Sequence, residues 1–303
     1  MRTMRSQSAP SPAMRATGAP ACARRSGMRR RGITGAIAAL SLTCAFALTA
    51  PAKAAEMEAV YKISIAGFSV GTADVKSHFD GSAYNIDLQA RLTGLAGVLV
   101  SGRGAASARG TVSGRQVMPR AFAANSRSSQ ASRTVRMGLN NGTVAAVEIE
   151  PPLKDHADAI PVQAAHKSGV VDPVSAFLMP ATIRGNPADP RNCERTIPVF
   201  DGAARFDIIL SYDGTRDFSR PGYSGQVLVC KARFRAVSGH RPSREAVRFM
   251  EENRDMAVWL APFPANDSLV PMRIELRTQI GMSVIEAGRV KLSPTPRRAA
   301  SVQ

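Results

Sequence analysis

The side chains in this sequence that could carry chemistry are few, and their spacing is informative. Gly67-Phe68-Ser69-Val70-Gly71 has the G-x-S-x-G spacing of a nucleophile elbow, in which a serine on a sharp strand-to-helix turn attacks a carbonyl. Here a strand pattern follows Ser69, no glycine run is placed to supply an oxyanion hole, and the strand–helix alternation of that hydrolase class is missing. The five residues are therefore expected to form a hairpin turn. The four histidines, His78, His156, His166 and His240, show neither H-E-x-x-H nor paired-carboxylate spacing. His156, between Asp155 and Asp158, is the best metal candidate among them, but no second ligand stands near it, and all four are expected on the surface. Asp172 precedes Pro173, which gives it a structural role as a helix cap before any role as a buried acid. Lys231, Arg233 and Arg235 share one face of a strand pattern; they could meet anionic polymers or lipid headgroups, or form a solvated face that guards a sheet edge, the expected role. No catalytic residue, cofactor or metal site is expected, and the chain is not expected to be an enzyme.

Cysteine usage points to the compartment. Residues 32–50 form a short apolar run after Arg29-Arg30-Arg31, and Ala52-Lys53-Ala54 puts small residues at the two positions a signal peptidase reads. Export to the periplasm with cleavage near Ala54 is expected, leaving no membrane span in the mature chain. Arg29-Arg30 lacks the usual continuation of a twin-arginine signal, and Cys44 lacks the aliphatic residue three places earlier that a lipoprotein signal needs. Translation from Met1 or from Met28 fits the pattern equally. Cys22 and Cys44 depart with the leader, and Cys193 and Cys230 remain in an oxidising compartment, with no histidine or further cysteine at ligand spacing. A Cys193–Cys230 disulfide is the expected outcome.

The net charge of +17 is not by itself a sign of a nucleic-acid partner. Nine of the 40 Lys and Arg fall in the first 54 residues, which hold no acidic residue. Aromatic content is 5%, no basic stripe carries aromatics to stack bases, and no nucleic-acid partner is expected.

The elements that must position these residues read as strands. Met57, Ala59, Tyr61, Ile63 and Ile65 alternate with polar residues; so do Tyr84, Ile86, Leu88, Ala90 and Leu92, and again Met272, Ile274, Leu276, Thr278 and Ile280. Asn140-Asn141-Gly142 predicts a tight hairpin, and Asp201-Gly202 a turn between strands ending at Phe200 and starting at Arg205. In the second of these strands Phe206, Ile208, Leu210 and Tyr212 share a face, and Asp213-Gly214 reads as the next turn. Residues 102–110 are rich in Gly and Ala, with no strand assigned, and 95–100 are apolar without a period. Asp172-Pro173 opens a helix of about two turns that Pro180 ends, and the charged stretch 240–252 forms a brief helix or an exposed excursion. The count is eleven to thirteen strands. The fold class is mainly β: one strongly curved antiparallel sheet, as a barrel, half-barrel or spiral, with one or two short helices. The domains are a leader at 1–54, one β-rich domain at 55–292 and a loose tail at 293–303.

Several pieces together resemble the domain-of-unknown-function 3108 family of exported bacterial proteins. They are Tyr61 with Gly67 and Gly71, Asp172-Pro173-Val174-Ser175-Ala176, Cys193 leading to Val199-Phe200-Asp201-Gly202, Tyr223-Ser224-Gly225-Gln226 up to Cys230, Trp259-Leu260, and Pro271-Met272-Arg273-Ile274. The likeness covers nearly all of 56–292 and implies a periplasmic β-rich protein. Three functions stand as expectations. The leading one is a non-enzymatic envelope protein that binds a lipid or other apolar ligand on the concave face of its sheet, or docks a cell-envelope partner. The second is an interaction protein with a packed core contacting anionic envelope components. The third and least favoured is a serine hydrolase using Ser69, which requires a His and an acid to converge on it in space.

Overall fold

The computed structural model describes residues 55–93, 101–128, 131–181, 186, 188–263 and 267–294. Residues 1–54, expected to form a leader, the apolar stretch 95–100 and residues 295–303 lie outside the described residues. The first half of the chain forms β1 (Ala55–Ile65), β2 (Phe68–Asp80), β3 (Ala83–Leu92), β4 (Gly102–Ser113), β5 (Gln116–Ser128), β6 (Ser132–Asn140) and β7 (Thr143–Glu150). A connecting strap, 151–181, carries the 3-10 turns Ala164–Lys167 and Ser175–Phe177 and ends in the two-residue β8 (Met179–Pro180). A 3-10 turn at Pro190–Asn192 then leads to β9 (Arg195–Phe200), β10 (Arg205–Arg220), β11 (Tyr223–Ser238), α1 (Glu245–Glu252), β12 (Met256–Phe263), β13 (Ser268–Thr278) and β14 (Gly281–Pro294).

The strands make a single antiparallel sheet in the order β7-β6-β5-β4-β3-β2-β1-β14-β13-β12-β11-β10-β9, with β8 added on β13. Within β1–β7 and within β9–β14 neighbours in sequence are neighbours in the sheet, and β1 pairs with β14 to join the two runs. Alternation explains the strands: in β3 Tyr84 and Ile86 are buried while Asn85, Asp87, Gln89 and Arg91 face out. The path stays open between β7 and β9, but its curvature brings the two ends together. A Cβ built at Gly202, in the β9–β10 turn, would lie 2.6 Å from Val135 of β6, and Gly202 has φ of +100°. The strap crosses the gap. The Val170 amide donates to Gly142 in the β6–β7 turn, and Val171 exchanges hydrogen bonds with Pro198 and Phe200 on the free edge of β9. The edge is thereby covered at Pro198–Phe200, where it would otherwise expose unpaired backbone groups.

The structure corrects four local readings. The Gly/Ala-rich stretch is β4, paired along its length with β3 and β5. Its inward residues are small because neighbours stand close: a Cβ at Gly110 would sit 2.3 Å from the Met118 carbonyl and 2.7 Å from the Tyr84 hydroxyl. Gly110→Ala should therefore cost about 2 kcal/mol in denaturant unfolding, in the range of core overpacking; an unchanged midpoint would mean that Tyr84 moves aside freely. Asp213-Gly214 is a bulge within a 16-residue β10, since pairing with β11 resumes at Gly214; Gly214 has φ of +115° and supplies the kink that reads as a turn. Beside that bulge Tyr212 is exposed rather than inward with Leu210. The helix expected after Asp172-Pro173 shrinks to one 3-10 turn, because the Leu178 backbone becomes extended and enters β8. The one α-helix among the described residues is α1, in the stretch 240–252. The fourteen strands among the described residues exceed the expected count through β4 and β8.

Two apolar clusters fill the fold. The larger gathers Met57, Tyr61, Phe79, Tyr84, Phe122 and Met137 with strap residues Val170, Val174 and Leu178. The smaller surrounds the Cys193–Cys230 disulfide with Met179, Leu210, Leu228, Leu260 and Leu269.

Candidate functional site

Within the larger cluster the packing is incomplete. A cavity of 290 Å³ lies between β1, β2, β3, β13, β14 and the strap, and its walls are almost wholly apolar. β1 and β2 contribute Ile63, Ala73 and Val75, β3 contributes Leu88 and Ala90, and β13 and β14 contribute Ile274 and Ile285. Val174, Phe177 and Leu178 of the strap complete it, with Phe177 still 43% exposed. Burial falls toward the same end in β1 and β3, while β2 stays buried at Ala73, Gly71 and Val70. In β1 it runs from buried Met57 and Tyr61 to half-buried Ile63 and Ile65; in β3 it runs from buried Tyr84 and Ile86 to half-buried Leu88 and Ala90 and exposed Leu92. The cavity thus has a closed floor beside Phe79 and Tyr84 and a mouth toward the β1–β2 turn.

Hydrogen bonds fix the floor. Asp172 is fully buried and accepts the amides of Val174 and Ser175 on one oxygen, both at 2.9 Å, and the Ser175 hydroxyl on the other at 2.5 Å. Because that hydroxyl proton is committed to Asp172, Tyr84 must be the donor in its 2.7 Å contact with Ser175 Oγ. Burial pushes the Asp172 carboxyl above its ordinary value, opposed by the three donors. Burial also raises the Tyr84 phenol, which keeps it a donor. Tyr61 donates to the Pro271 carbonyl at 2.6 Å and is raised by burial in the same way. Asp172, Ser175, Tyr84 and Tyr61 are thereby turned to protein partners, and Ser77 is the remaining polar side chain in the cavity wall.

The residues singled out from the sequence are dispersed. Ser69 is exposed in the first turn of β2, paired across to Ser64. His78 meets Glu56 on the outer face, His166 accepts from the Gln163 amide, His240 packs on Phe206 and Phe234, and His156 sits in the strap. Among the described residues no three His, Cys, Asp or Glu converge as metal ligands. Asp172 and Pro173 form the turn that carries the floor, while Asp201 accepts the amides of Ala203 and Ala204 in the turn with Gly202, far along the chain from the cavity walls. Lys231 pairs with Asp213 and Arg235 with the buried Asp207, which Arg205 also holds. Their strand, β11, pairs with β12 only over Leu228–Lys231, so Lys231 lies between two strands, while Arg233 and Arg235 lie on a stretch that pairs with β10 alone among the described strands. The cavity residues were visible in sequence only as the apolar phase of ordinary strands. Alternation says which way a side chain points and nothing about how much volume is left in front of it.

A crystal structure described as a beta-barrel-like protein of domain of unknown function DUF1849, from Brucella abortus, is similar with a TM-score of 0.48 at 9% identity, covering 81% of this chain and 100% of that one. No curated protein matches the sequence. The family described as "Protein of unknown function (DUF3108)" matches residues 60–287, a span that holds every wall of the cavity except Met57, the Asp172–Ser175–Tyr84 network and both cysteines. The chain belongs to the DUF3108 family.

Proposed function

We propose that the protein is a non-enzymatic, exported envelope protein that holds an acyl chain or similar apolar moiety of an amphipathic ligand in the cavity beneath the strap. The observation that carries this reading is the near-absence of polar surface in a 290 Å³ space with an open mouth. Cavities of about 150 Å³ lined by Leu, Ile and Phe already bind benzene, so this one has room for a longer chain. About eight methylenes would contribute on the order of 6 kcal/mol at ~0.8 kcal/mol each, before the cost of ordering the chain. The signal-like segment within 1–54 supports export, and an oxidising destination agrees with the disulfide.

Native mass spectrometry with lipid extraction, on protein purified from the exporting cell under oxidising conditions, tests it. An apolar mass is expected to accompany the protein. Ala90 lines the mouth, half-buried, so Ala90→Phe should lower the co-purifying fraction at least tenfold while the melting temperature stays within about 2 °C, since the new ring fills space rather than displacing packed atoms. A clean mass for the unsubstituted protein, or equal ligand in both, would leave an interaction protein with a packed core as the better reading.

A further inference from the structure

The outer face of the sheet at the cavity mouth holds three arginines in one row. Arg91 of β3 stands directly opposite Arg103 of β4, and Arg103 directly opposite Arg127 of β5. All three are exposed, and among the described residues none has a carboxylate within ion-pair distance. The acidic residues nearest in register, Asp74 beside Gln89 and Glu150 beside Thr134, belong to the next row inward. Like charges directly opposite on a sheet oppose folding, so the row is a feature the fold tolerates and does not require. The three side chains border a shallow depression of 440 Å³ with Asn125 and Thr134, and no carboxylate lines it.

The same end of the sheet carries exposed apolar side chains. Phe68, 60% exposed, starts β2 at the β1–β2 turn, and Leu92, 41% exposed, ends β3 opposite Gly71. Ile280, 52% exposed, sits in the β13–β14 turn, which is joined to the β1–β2 turn by the Ala66 amide donating to Met282. Apolar residues at the tip, guanidinium groups just behind them and an apolar cavity opening between are complementary to the layers of a bilayer surface: acyl boundary, phosphate, and a chain drawn from it.

We propose that this rim docks the protein on an anionic phospholipid bilayer, with Arg91, Arg103 and Arg127 on lipid phosphates and Phe68, Leu92 and Ile280 in the interface. The proposal deepens the reading of the cavity by naming the surface from which its ligand enters, and its test reads docking separately from ligand content.

The test is sedimentation of the full exported protein with phosphatidylglycerol–phosphatidylcholine vesicles and with pure phosphatidylcholine vesicles. Binding to the anionic vesicles only, weakened by salt, is expected. Replacing all three arginines by glutamine should reduce it about a hundredfold, at roughly fivefold per basic residue. The same loss of charge at exposed Arg115, Arg216 and Arg248 should change it less than fivefold. Relief of the repulsion should leave the melting temperature of the rim variant equal or higher, so a folding defect is separable from a docking defect. Equal binding to both vesicle types, or a rim variant that binds as well as the unsubstituted protein, would overturn the proposal. So would tighter binding to soluble polyphosphate than to the vesicles, which would assign the row to a soluble polyanion. Lipid mass co-purifying with the protein is scored independently: its absence removes the cavity reading and leaves the docking result standing.

Discussion

Replacing Cys193 and Cys230 together by alanine is expected to lower stability by about 4 kcal/mol, the loop-closure freedom that a bridge across 37 residues withholds from the unfolded chain. For a domain of this size that is a fall in melting temperature of about 8 to 16 °C. The magnitude is large because of where the bridge lies. Cys193 follows the 3-10 turn that introduces β9, and Cys230 is in the middle of β11, so the bond spans β10 and ties the terminal strand of the sheet to its second neighbour. Among the described residues β9 pairs, apart from Val171, only with β10. Both sulfurs are fully buried among Leu210, Leu228, Leu260 and Leu269. Alanine is the informative replacement, since serine would add unsatisfied buried hydroxyls worth about 1 to 3 kcal/mol each. Calorimetry with and without reductant checks it: the unsubstituted protein in reductant should approach the double variant, and the double variant should not respond. A reduced protein that melts within about 2 °C of the oxidised one would show that the small cluster alone holds the edge. Because the bridge lies in the smaller cluster and the cavity in the larger, ligand retention below the transition should be unaffected.

How far this architecture could be read in advance depended on the range of the interaction. β3 was legible because Tyr84, Ile86 and Leu88 alternate with Asn85, Asp87 and Gln89, a pattern set by burial on one face. β4 was not, although its outward Arg103, Ser107 and Arg109 keep the same period. Its inward Gly104, Ala106, Ala108 and Gly110 carry too little apolar surface to complete the alternation, and they are small because of what faces them across the sheet. The bridge was accessible by elimination, since only two cysteines follow residue 54. The arginine row was beyond reach: Arg91, Arg103 and Arg127 each read as an ordinary outward residue, and only the register of three strands makes them opposite. The cavity was equally hidden, being a shortfall in volume among side chains from five strands and the strap. Asp172 was legible as a local cap but not as one end of a network, because Tyr84 lies 91 residues from Ser175.

That network supports the second large effect. Asp172→Ala should destabilise the protein by about 3 to 5 kcal/mol, because it leaves two amides and the Ser175 hydroxyl without an acceptor in a fully buried site. Asp172→Asn keeps the acceptor for the amides but turns an NH₂ toward Ser175 Oγ. Ser175 must then donate to Tyr84 rather than accept from it, and the Tyr84 hydroxyl, pressed against Gly110, loses its acceptor; about 1 to 2 kcal/mol is expected. The pH dependence has a definite sign. Burial raises the Asp172 carboxyl above its unfolded value, so the folded chain binds that proton more tightly. Its contribution is complete below an unfolded carboxyl pKa of about 3.9 and is lost as pH rises through the raised folded value. Asp172→Asn should therefore compare least favourably with the parent near pH 4, and the gap should narrow above it; denaturant titrations of both proteins across that window measure the difference. The Asp172→Ala variant should also lose co-purifying ligand before it unfolds globally, since Val174, Phe177 and Leu178 ride on the turn that Asp172 holds, and hydrogen exchange at the strap amides should rise ahead of exchange in β3. If exchange in the strap and in β3 rises together, the strap is not an independent unit and the cavity floor opens only with the sheet.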